Sequence, residues 1–346
     1  MKTWLGALAI LLLTQGTTSA QEKHLKNIRQ LTWGGDNAEA YFSPDGKWLT
    51  FQSNNKKWGV ECDQIFELEI AKAMKDSTYK PKRISNGEGR TTCSYYMPNG
   101  EGIMYASTFK AKKECPKVKV VEGKYLWNLY EDYDIFIADR KGVIKNQLTN
   151  FKGYEAEATV SPKGDKIVYT SMETGDLELW TMNIDGSDKK SITQLLGYDG
   201  GAFFSPDGER IVFRASRPST EEEMNEYITN LYSGFVAPTN MELYICNADG
   251  SGLIQLTNLG KANWAPYFFP TGNKIIFSSN HQSEKGYDFQ LFMINDDGDK
   301  LEQITTESRF NSFPMFSPDG KYLIFSSNRN NHETNDTNLF IAEWVD

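Results

Sequence analysis

The sequence predicts an all-β fold, a six-bladed β-propeller of four-stranded blades. Three observations lead to this prediction. A Pro-x-Gly turn recurs along the 346 residues, and each turn is followed by the same short strand patterns. One strand of the last repeat is missing from the end of the chain but present near its start. Four-stranded sheets repeated around an axis form a propeller.

The turn of the first repeat, Ser43-Pro44-Asp45-Gly46, is typical of a type I turn followed by a bulge. Proline fixes φ at the second position, and glycine accepts the left-handed conformation at the fourth. We therefore use this turn to define six repeats, numbered in chain order. Their turns contain Pro44/Gly46, Pro98/Gly100, Pro162/Gly164, Pro206/Gly208, Pro270/Gly272 and Pro318/Gly320.

Two further strands follow each turn. In the second strand an aliphatic and an aromatic residue stand two positions apart, a spacing that places both on one face of a strand. These pairs are Leu49/Phe51, Ile103/Tyr105, Ile167/Tyr169, Ile211/Phe213, Ile275/Phe277 and Leu323/Phe325. The third strand contains an adjacent pair, from Ile65-Phe66 in repeat one to Leu339-Phe340 in repeat six.

A fourth strand ends in an aliphatic residue followed by Thr or Ser in the first five repeats. After Leu339-Phe340 only IAEWVD remains, whereas residues 28–32 (Ile28 to Thr32) show the missing pattern. We expect this N-terminal strand to complete the last blade and close the ring. A linear solenoid would leave the displaced strand without a partner.

The first twenty residues are predicted to be a secretory signal peptide. Lys2 precedes a short apolar run from Leu5 to Leu13, and small residues lead to Ala20. No lipobox cysteine follows, so we expect a periplasmic or secreted domain, residues 21–346, in an oxidising compartment. The formal net charge of -9 argues against nucleic-acid binding, and no later segment is long and apolar enough to span a membrane.

The turn sequences, the "IVF-x-S" second strands and the "DGS…LT" ends resemble the TolB-type propeller repeat. The resemblance covers residues 28–346 and implies the fold; it also implies a role near an envelope or transport complex. The chain departs from TolB in having no room for an α/β domain before the propeller. It also departs from the peptidases with this repeat, because it contains no Gly-x-Ser-x-Gly elbow and stops after the sixth repeat.

Two insertions, at about 108–132 in repeat two and 216–240 in repeat four, are predicted to lie on one face. The first is basic and then aromatic; the second is typical of a helix capped by Ser219 or Thr220 and ended by Gly234. Its buried stripe is predicted to be Met224, Ile228, Leu231 and Tyr232. The insertions either recognise a ligand or pack on each other.

A ring of polar side chains is predicted at the channel mouth on the same face. Four positions before the Ser of each turn stand Glu39, Cys93, Glu157, Gly201, Ala265 and Phe313. The candidate ligand-binding residues are Glu39, Arg90, Glu155, Glu157, Asp199, Arg217, Asn263, Trp264, Asn280, His281 and Arg329. Such a mouth suits a sugar, a peptide or a cation, with calcium the best match to its oxygen ligands; the alternative is a solvated rim.

The cysteines predict one disulfide without fixing its partners. Cys62, Cys93 and Cys115 lie on the insertion side, and Cys115 is within the first insertion. Cys246 aligns with buried residues and is expected to be a free thiol of the core. No histidine is placed to activate Cys93 as a nucleophile.

The preferred hypothesis is a monomeric binding scaffold that recognises a protein, a glycan or a cell-envelope component. The alternative is a glycan-active lyase or hydrolase, in which Glu39, Glu155 and Glu157 would supply an acid and a base. The scaffold is preferred because the sequence shows no complete catalytic constellation. The chain has three histidines, which disfavours a metal site built on several imidazoles.

Overall fold

The computed structural model describes residues 22–331 and 334–346; the predicted signal peptide lies outside these residues. The strands of the first half are β1 Leu25–Gln30, β2 Asn37–Phe42, β3 Trp48–Ser53, β4 Gln64–Glu69, β5 Lys82–Arg83, β6 Thr91–Tyr96, β7 Gly102–Ser107, β8 Trp127–Asn128, β9 Asp132–Asp139, β10 Ile144–Gln147, β11 Gly153–Val160, β12 Lys166–Ser171 and β13 Glu178–Asn183. They are joined by a 3-10 turn at Lys56–Trp58 and a short helix, α1 Ile70–Ala73.

The second half continues this pattern and contains one longer helix, α2 Glu221–Tyr232. Its strands are β14 Lys190–Ser191, β15 Asp199–Phe204, β16 Arg210–Ser216, β17 Phe235–Val236, β18 Met241–Asn247, β19 Ile254–Gln255, β20 Asn263–Phe268, β21 Lys274–Ser279, β22 Gln290–Asn295, β23 Glu302–Gln303, β24 Asn311–Phe316, β25 Tyr322–Ser327 and β26 Asn338–Trp344. No helix among the described residues is long and apolar enough to cross a membrane.

The strands form an all-β propeller with four-stranded blades. Four sheets are separate, with the orders β2-β3-β4-β5, β15-β16-β18-β19, β20-β21-β22-β23 and β24-β25-β26-β1. The other long strands form one eight-stranded sheet. Within it, β6-β7-β9-β10 and β11-β12-β13-β14 are joined where β9 and β11 run parallel at Gly153↔Asp132 and Tyr154↔Tyr133. The six repeats therefore do not appear as six separate sheets.

The N-terminal strand pairs with the C-terminal strand, as the repeat offset predicted. Strand β1 runs antiparallel to β26, from Leu25↔Trp344 to Gln30↔Phe340. The strand begins and ends earlier than the predicted residues 28–32. Thr32 follows it and is fully buried, and its Oγ1 accepts a hydrogen bond from the Leu339 backbone N–H at 2.9 Å.

The turns of successive repeats lie against one another in a closed circle. A Cβ atom on Gly46 would lie 3.6 Å from Cδ of Pro318, so the first turn meets the sixth. Gly208 faces Ser161 and Lys163, which flank Pro162. The other glycines face the preceding proline directly: Gly100 with Pro44, Gly164 with Pro98, Gly272 with Pro206 and Gly320 with Pro270. All six prolines line one cavity of about 420 Å³.

The second strands supply the core between neighbouring sheets. Both members of each aliphatic-aromatic pair predicted from the sequence are fully buried, with 0% exposure, from Leu49 and Phe51 to Leu323 and Phe325. Each such side chain contributes about 1.5–3 kcal/mol through the apolar surface it removes from water. The repeat pattern therefore encodes the packing between sheets.

Candidate functional site

Each first strand contains a bulge that turns one side chain toward the propeller axis. The bulge residues have left-handed backbone conformations, with φ of 54° at Glu39 and 59° at Glu157, and the pairing register shifts beside them. They are Glu39, Cys93, Glu157, Gly201, Ala265 and Phe313. All six line one cavity of about 30 Å³, so the predicted ring is brought together by the fold.

A second layer of side chains fills the channel two residues further along each first strand. The Phe203 ring lies 5.5 Å from the Tyr41 ring and 5.2 Å from the Tyr267 ring, centroid to centroid. Phe203 lines both the 30 Å³ and the 420 Å³ cavities and therefore stands between them. The layer consists of Tyr41, Tyr95, Thr159, Phe203, Tyr267 and Met315. It was not predicted from the sequence, although each member stands three positions before a turn proline.

Arg214 provides the positive charge of the 30 Å³ cavity. Its Nη2 donates to Glu157 Oε2 at 2.9 Å and to the Tyr198 hydroxyl oxygen at 2.8 Å. Glu157 also accepts hydrogen bonds from the hydroxyls of Tyr154, at 2.9 Å, and Tyr198, at 2.7 Å. Arg214 was not among the predicted site residues, although it differs from the Gln, Ala, Thr or Ser that the other repeats have at its position. Glu157 is thus held by a counter-ion and two hydroxyls.

Glu39 shares the cavity with this ion pair but has a different electrostatic environment. Burial raises the pKa of Glu39 to about 7, although the hydrogen bond with Cys93 and the charge of Arg214 act to lower it. Burial and the nearby Glu39 raise the pKa of the Cys93 thiol. The cavity therefore contains a carboxyl group that changes its protonation near neutral pH and a thiol that stays protonated.

The two insertions pair with each other above the cavity. Strands β8 and β17 run antiparallel, with Phe235↔Asn128 and Val236↔Trp127 as partners. The Trp127 ring centroid lies 5.0 Å from Cζ of Arg214, a cation–π distance, and 5.2 Å from the Trp264 ring. We call residues 108–132 and 216–240 together the cap. Packing of the insertions on each other, one of the two sequence interpretations, is therefore observed.

Helix α2 is capped as predicted but buries a different face. Thr220 accepts a hydrogen bond from the Glu223 backbone N–H, and the Glu223 side chain completes a capping box. The buried residues are Tyr227 and Leu231, whereas Ile228 and Tyr232 of the predicted stripe are exposed. The reason is that the Tyr227 hydroxyl donates to Asp176, which turns the helix by about one position. Part of the predicted stripe was wrong.

A disulfide joins Cys62 to Cys115 and so attaches the first insertion to repeat one. Cys93 and Cys246 are free, and Cys246 is buried as expected for a core thiol. The sequence indicated a bridge among three cysteines; the structure fixes the pair.

Several candidates lie at junctions between repeats rather than around the cavity. The Asn263 side chain donates to Glu242 at 3.1 Å and to the Met241 carbonyl at 2.9 Å, both in the preceding repeat. At the equivalent junction between repeats two and three, Glu155 faces Asp134. Burial and then the Glu155 charge raise the pKa of Asp134 to about 7, and burial also raises the pKa of Glu155. This junction has an acid where Asn263 supplies an amide donor.

Three of the predicted ligand-binding residues follow second strands. Their side chains bond residues of their own repeat or Glu22 near the start of the described chain. Arg217 is paired with Asp199 at 2.6 Å, and His281 Nδ1 is hydrogen-bonded to Ser279 Oγ at 2.8 Å. Burial lowers the pKa of His281. Arg329 binds Glu22, at 3.1 Å. They hold chain segments together and do not line the 30 Å³ cavity.

The remaining candidates are also engaged by the surrounding chain. Arg90 donates to Asp63 at 2.8 Å, and Asn280 accepts from the Ala262 backbone N–H at 2.8 Å. The Trp264 indole donates to the Pro238 carbonyl at 3.1 Å and stacks on Phe289 with centroids 4.2 Å apart. Of the eleven predicted ligand-binding residues, two line the cavity: Glu39 and Glu157.

The cavity is suited to water-sized groups. A volume of about 30 Å³ holds on the order of one or two waters. A sugar ring does not fit in a cavity of this volume. Within residues 22–331 and 334–346, no three His, Cys, Asp or Glu side chains converge in a way that could hold a metal ion.

Comparison with known proteins identifies solved structures with the same fold. No protein-family model and no curated protein sequence matches the chain. The structure of putative TolB from Agrobacterium tumefaciens matches with a TM-score of 0.58 and 19% identity, covering 92% of this chain and 97% of that one. TolB from Acinetobacter baumannii matches with a TM-score of 0.55 and 16% identity, covering 89% of this chain and 63% of that one.

An enzyme structure is also similar. Oligogalacturonate lyase in complex with manganese matches with a TM-score of 0.50 and 13% identity, over 92% of this chain and 93% of that chain. These similarities show the fold, which is that of the TolB-type propellers.

Proposed function

We propose that this chain, which has the TolB-type propeller fold, is a binding scaffold whose cap recognises a protein or another cell-envelope component. The observation that carries this proposal is the apolar surface of the cap. Val120 is 83% exposed, Tyr125 68% and Tyr232 86%. These side chains belong to two insertions that pair with each other, and a surface patch of large apolar side chains is typical of interaction sites.

We propose a periplasmic or secreted location for this scaffold, where it acts as a monomer beside an envelope or transport complex. The first twenty residues have the composition of a signal peptide. The Cys62–Cys115 disulfide supports an oxidising compartment, where such bonds persist.

We infer that the propeller has six blades. The circle of turn contacts contains six members and returns from Gly46 to Pro318. The eight-stranded sheet contains two antiparallel four-stranded units that meet at two parallel residue pairs. Counting each unit as a blade supports the number that the repeats predict.

A glycan-active lyase or hydrolase is the second candidate. Glu39, with its pKa of about 7, has the protonation behaviour of a general acid or base, and the fold is shared with an oligogalacturonate lyase. The 30 Å³ cavity beneath Trp127 disfavours this function, because a sugar cannot reach Glu39 unless the cap moves.

A thermal-shift panel on residues 21–346 tests the proposal, with peptides, envelope oligosaccharides, calcium and EDTA as additions. A ligand of the folded state stabilises it by about 2.7 kcal/mol at a hundredfold excess over its Kd. We expect a shift that is lost in Tyr232→Ser and retained in the control Tyr322→Ser, on strand β25. Turnover of oligogalacturonate that is abolished in Glu157→Gln would instead establish the enzyme. No shift with any addition would contradict the scaffold.

A further inference from the structure

The first insertion contains a short segment with an unusual surface. Residues 116–121, Pro-Lys-Val-Lys-Val-Val, are called here the Lys-Val segment. Val118 is 55% exposed and Val120 83%, so both valines meet solvent as their neighbouring lysines do. The segment forms no strand with the rest of the described chain.

The cap nevertheless holds this segment in place. The Lys119 backbone N–H donates to Asn128 Oδ1 at 2.8 Å, and Asn128 Nδ2 donates to the Lys119 carbonyl at 3.0 Å. Asn128 belongs to β8, which pairs with β17. The Cys62–Cys115 disulfide fixes the chain just before the segment, and Lys124 N–H donates to the Val121 carbonyl just after it.

The other edge of the segment is open. In an extended chain, the backbone groups of alternate residues point to opposite sides. Both backbone groups of Lys119 bond the Asn128 side chain, as those of one strand residue bond a neighbour on one side. We infer from this that the backbone groups of Val118 and Val120 point away from Asn128. Among the described residues, neither valine makes a backbone–backbone hydrogen bond. An unpaired, preformed edge of this kind binds an added strand at low entropic cost.

The charge around the Lys-Val segment indicates which kind of partner strand it would bind. Residues 108–125, the part of the insertion around the segment, contain six lysines and two glutamates, a net charge of +4 on a chain whose net charge is -9; Glu131 and Asp132 at the end of the insertion reduce its net charge to +2. Two of these lysines are paired with acids outside the insertion: Lys113 with Glu88 at 3.1 Å and Lys124 with Glu226 at 2.6 Å. Lys117 has no carboxylate partner among the described residues, and Lys119 is directed toward the Phe235 ring at 5.9 Å.

We propose that the Lys-Val segment binds an extended acidic segment of a partner protein by strand addition. This inference rests on the proposed function and names the partner's chemistry. Side chains directly opposite each other in paired strands share a face. The partner strand therefore alternates acidic residues, opposite Lys117 and Lys119, with aliphatic residues, opposite Val118 and Val120. An anionic membrane fits less well, because the cap also exposes the Glu221, Glu222 and Glu223 carboxylates at the start of α2.

Fluorescence anisotropy tests this with a labelled eight-residue peptide of alternating valine and glutamate. We expect it to bind residues 21–346, and a valine–lysine peptide of equal length to fail. The double variant Lys117→Glu/Lys119→Glu should weaken binding about tenfold or more, with the loss greatest at low salt. Lys75→Glu is the charge control. Lys75 is an exposed lysine that follows β4, outside the cap, and its variant should bind the peptide as the parent protein does.

A second variant separates strand pairing from simple charge attraction. Val118→Pro keeps every charge but removes one outward N–H, so it should also weaken the peptide. Equal binding by Val118→Pro, or binding of phosphatidylglycerol vesicles in place of the peptide, would overturn strand addition. If the peptide fails while another ligand produces a Tyr232-dependent thermal shift, this inference is wrong and the scaffold stands. If both assays fail, both proposals are wrong.

Discussion

The Asp199 carboxylate lies 2.6 Å from the Arg217 guanidinium, and the aspartate has no exposed surface. The equivalent position in repeat five is Asn263, which bonds neutral and charged groups of the preceding repeat without a positive partner. At the position where repeat five has an amide that bonds the preceding repeat, repeat four therefore has a charged pair. Asp199 and Arg217 thus form an ion pair within repeat four.

Removing Arg217 should destabilise the fold more than neutralising Asp199. Burial already raises the pKa of Asp199 to about 7, and Arg217→Met removes the positive charge that acts to lower it. The buried carboxyl group then stays charged without its partner or takes up a proton, so the expected loss is at most about 3–5 kcal/mol. Asp199→Asn restores the side chain found at Asn263 and should cost much less. Urea unfolding at pH 7.5 measures both. Equal losses in the two variants would contradict a stabilising role for the pair.

Glu39 should make stability fall as the pH rises from about 4.5 to about 7. Its pKa in the folded protein is about 7, above the ordinary value of 4.5, so the folded state holds a proton that the unfolded state releases. Glu39→Gln removes this dependence and should be more stable than the parent above pH 7, by about 3 kcal/mol. Thermal unfolding from pH 4 to 8 tests the sign; parallel curves for the two proteins would contradict it.

The acid pair at the junction between repeats two and three should also make the stability of the fold decrease as the pH rises. The pKa of Asp134 is raised to about 7 by burial and by Glu155, whose own pKa is raised by burial. Glu155→Gln provides an amide donor, as Asn37, Asn263 and Asn311 do at their junctions, and should raise the melting temperature above pH 7. Glu173→Gln, an exposed acid nearby, is the control. A lower melting temperature for Glu155→Gln at pH 8 would show that the acid pair is stabilising.

The Cys62–Cys115 disulfide should protect the cap. Its two cysteines are 53 residues apart, and a bridge closing such a loop contributes about 2–4 kcal/mol. Cys115→Ser should unfold at lower urea concentration, and trypsin should cut first among the lysines of residues 108–125. Cys246→Ala provides a comparison in which cleavage of the insertion stays slow. Unchanged cleavage in Cys115→Ser would mean that the noncovalent contacts of the insertion hold it without the disulfide.

The side-chain layer between the two cavities should be indispensable. Phe203→Ala would join the 30 Å³ and 420 Å³ cavities, and truncation of a buried phenylalanine costs about 3–5 kcal/mol. Thr159→Ser changes the same layer by one methyl group and should cost far less. Guanidinium unfolding compares them, and a loss below about 1 kcal/mol for Phe203→Ala would show that the layer repacks.

The repeats made the core predictable, whereas the cap depended on contacts that one sequence does not display. Six aligned copies identified the buried pairs, the ring of positions that line the 30 Å³ cavity and the displaced strand. The pairing of β8 with β17 joins Trp127 to Val236, far apart in sequence and without counterparts in other repeats. The face of α2 was set by the hydroxyl of Tyr227 reaching Asp176, a tertiary contact that outweighed apolar periodicity.

The pairing of β1 with β26 also determines when this protein can finish folding. The Asn27 side chain bonds that of Glu343 across 316 residues of sequence. During synthesis the first strand must wait, unpaired, until almost the whole chain has emerged. Contacts of such long sequence separation form slowly, and an open strand edge favours aggregation in the meantime. Closure of the ring is therefore expected to be the slow, rate-limiting event of folding, and chaperones would protect the open edge until it occurs.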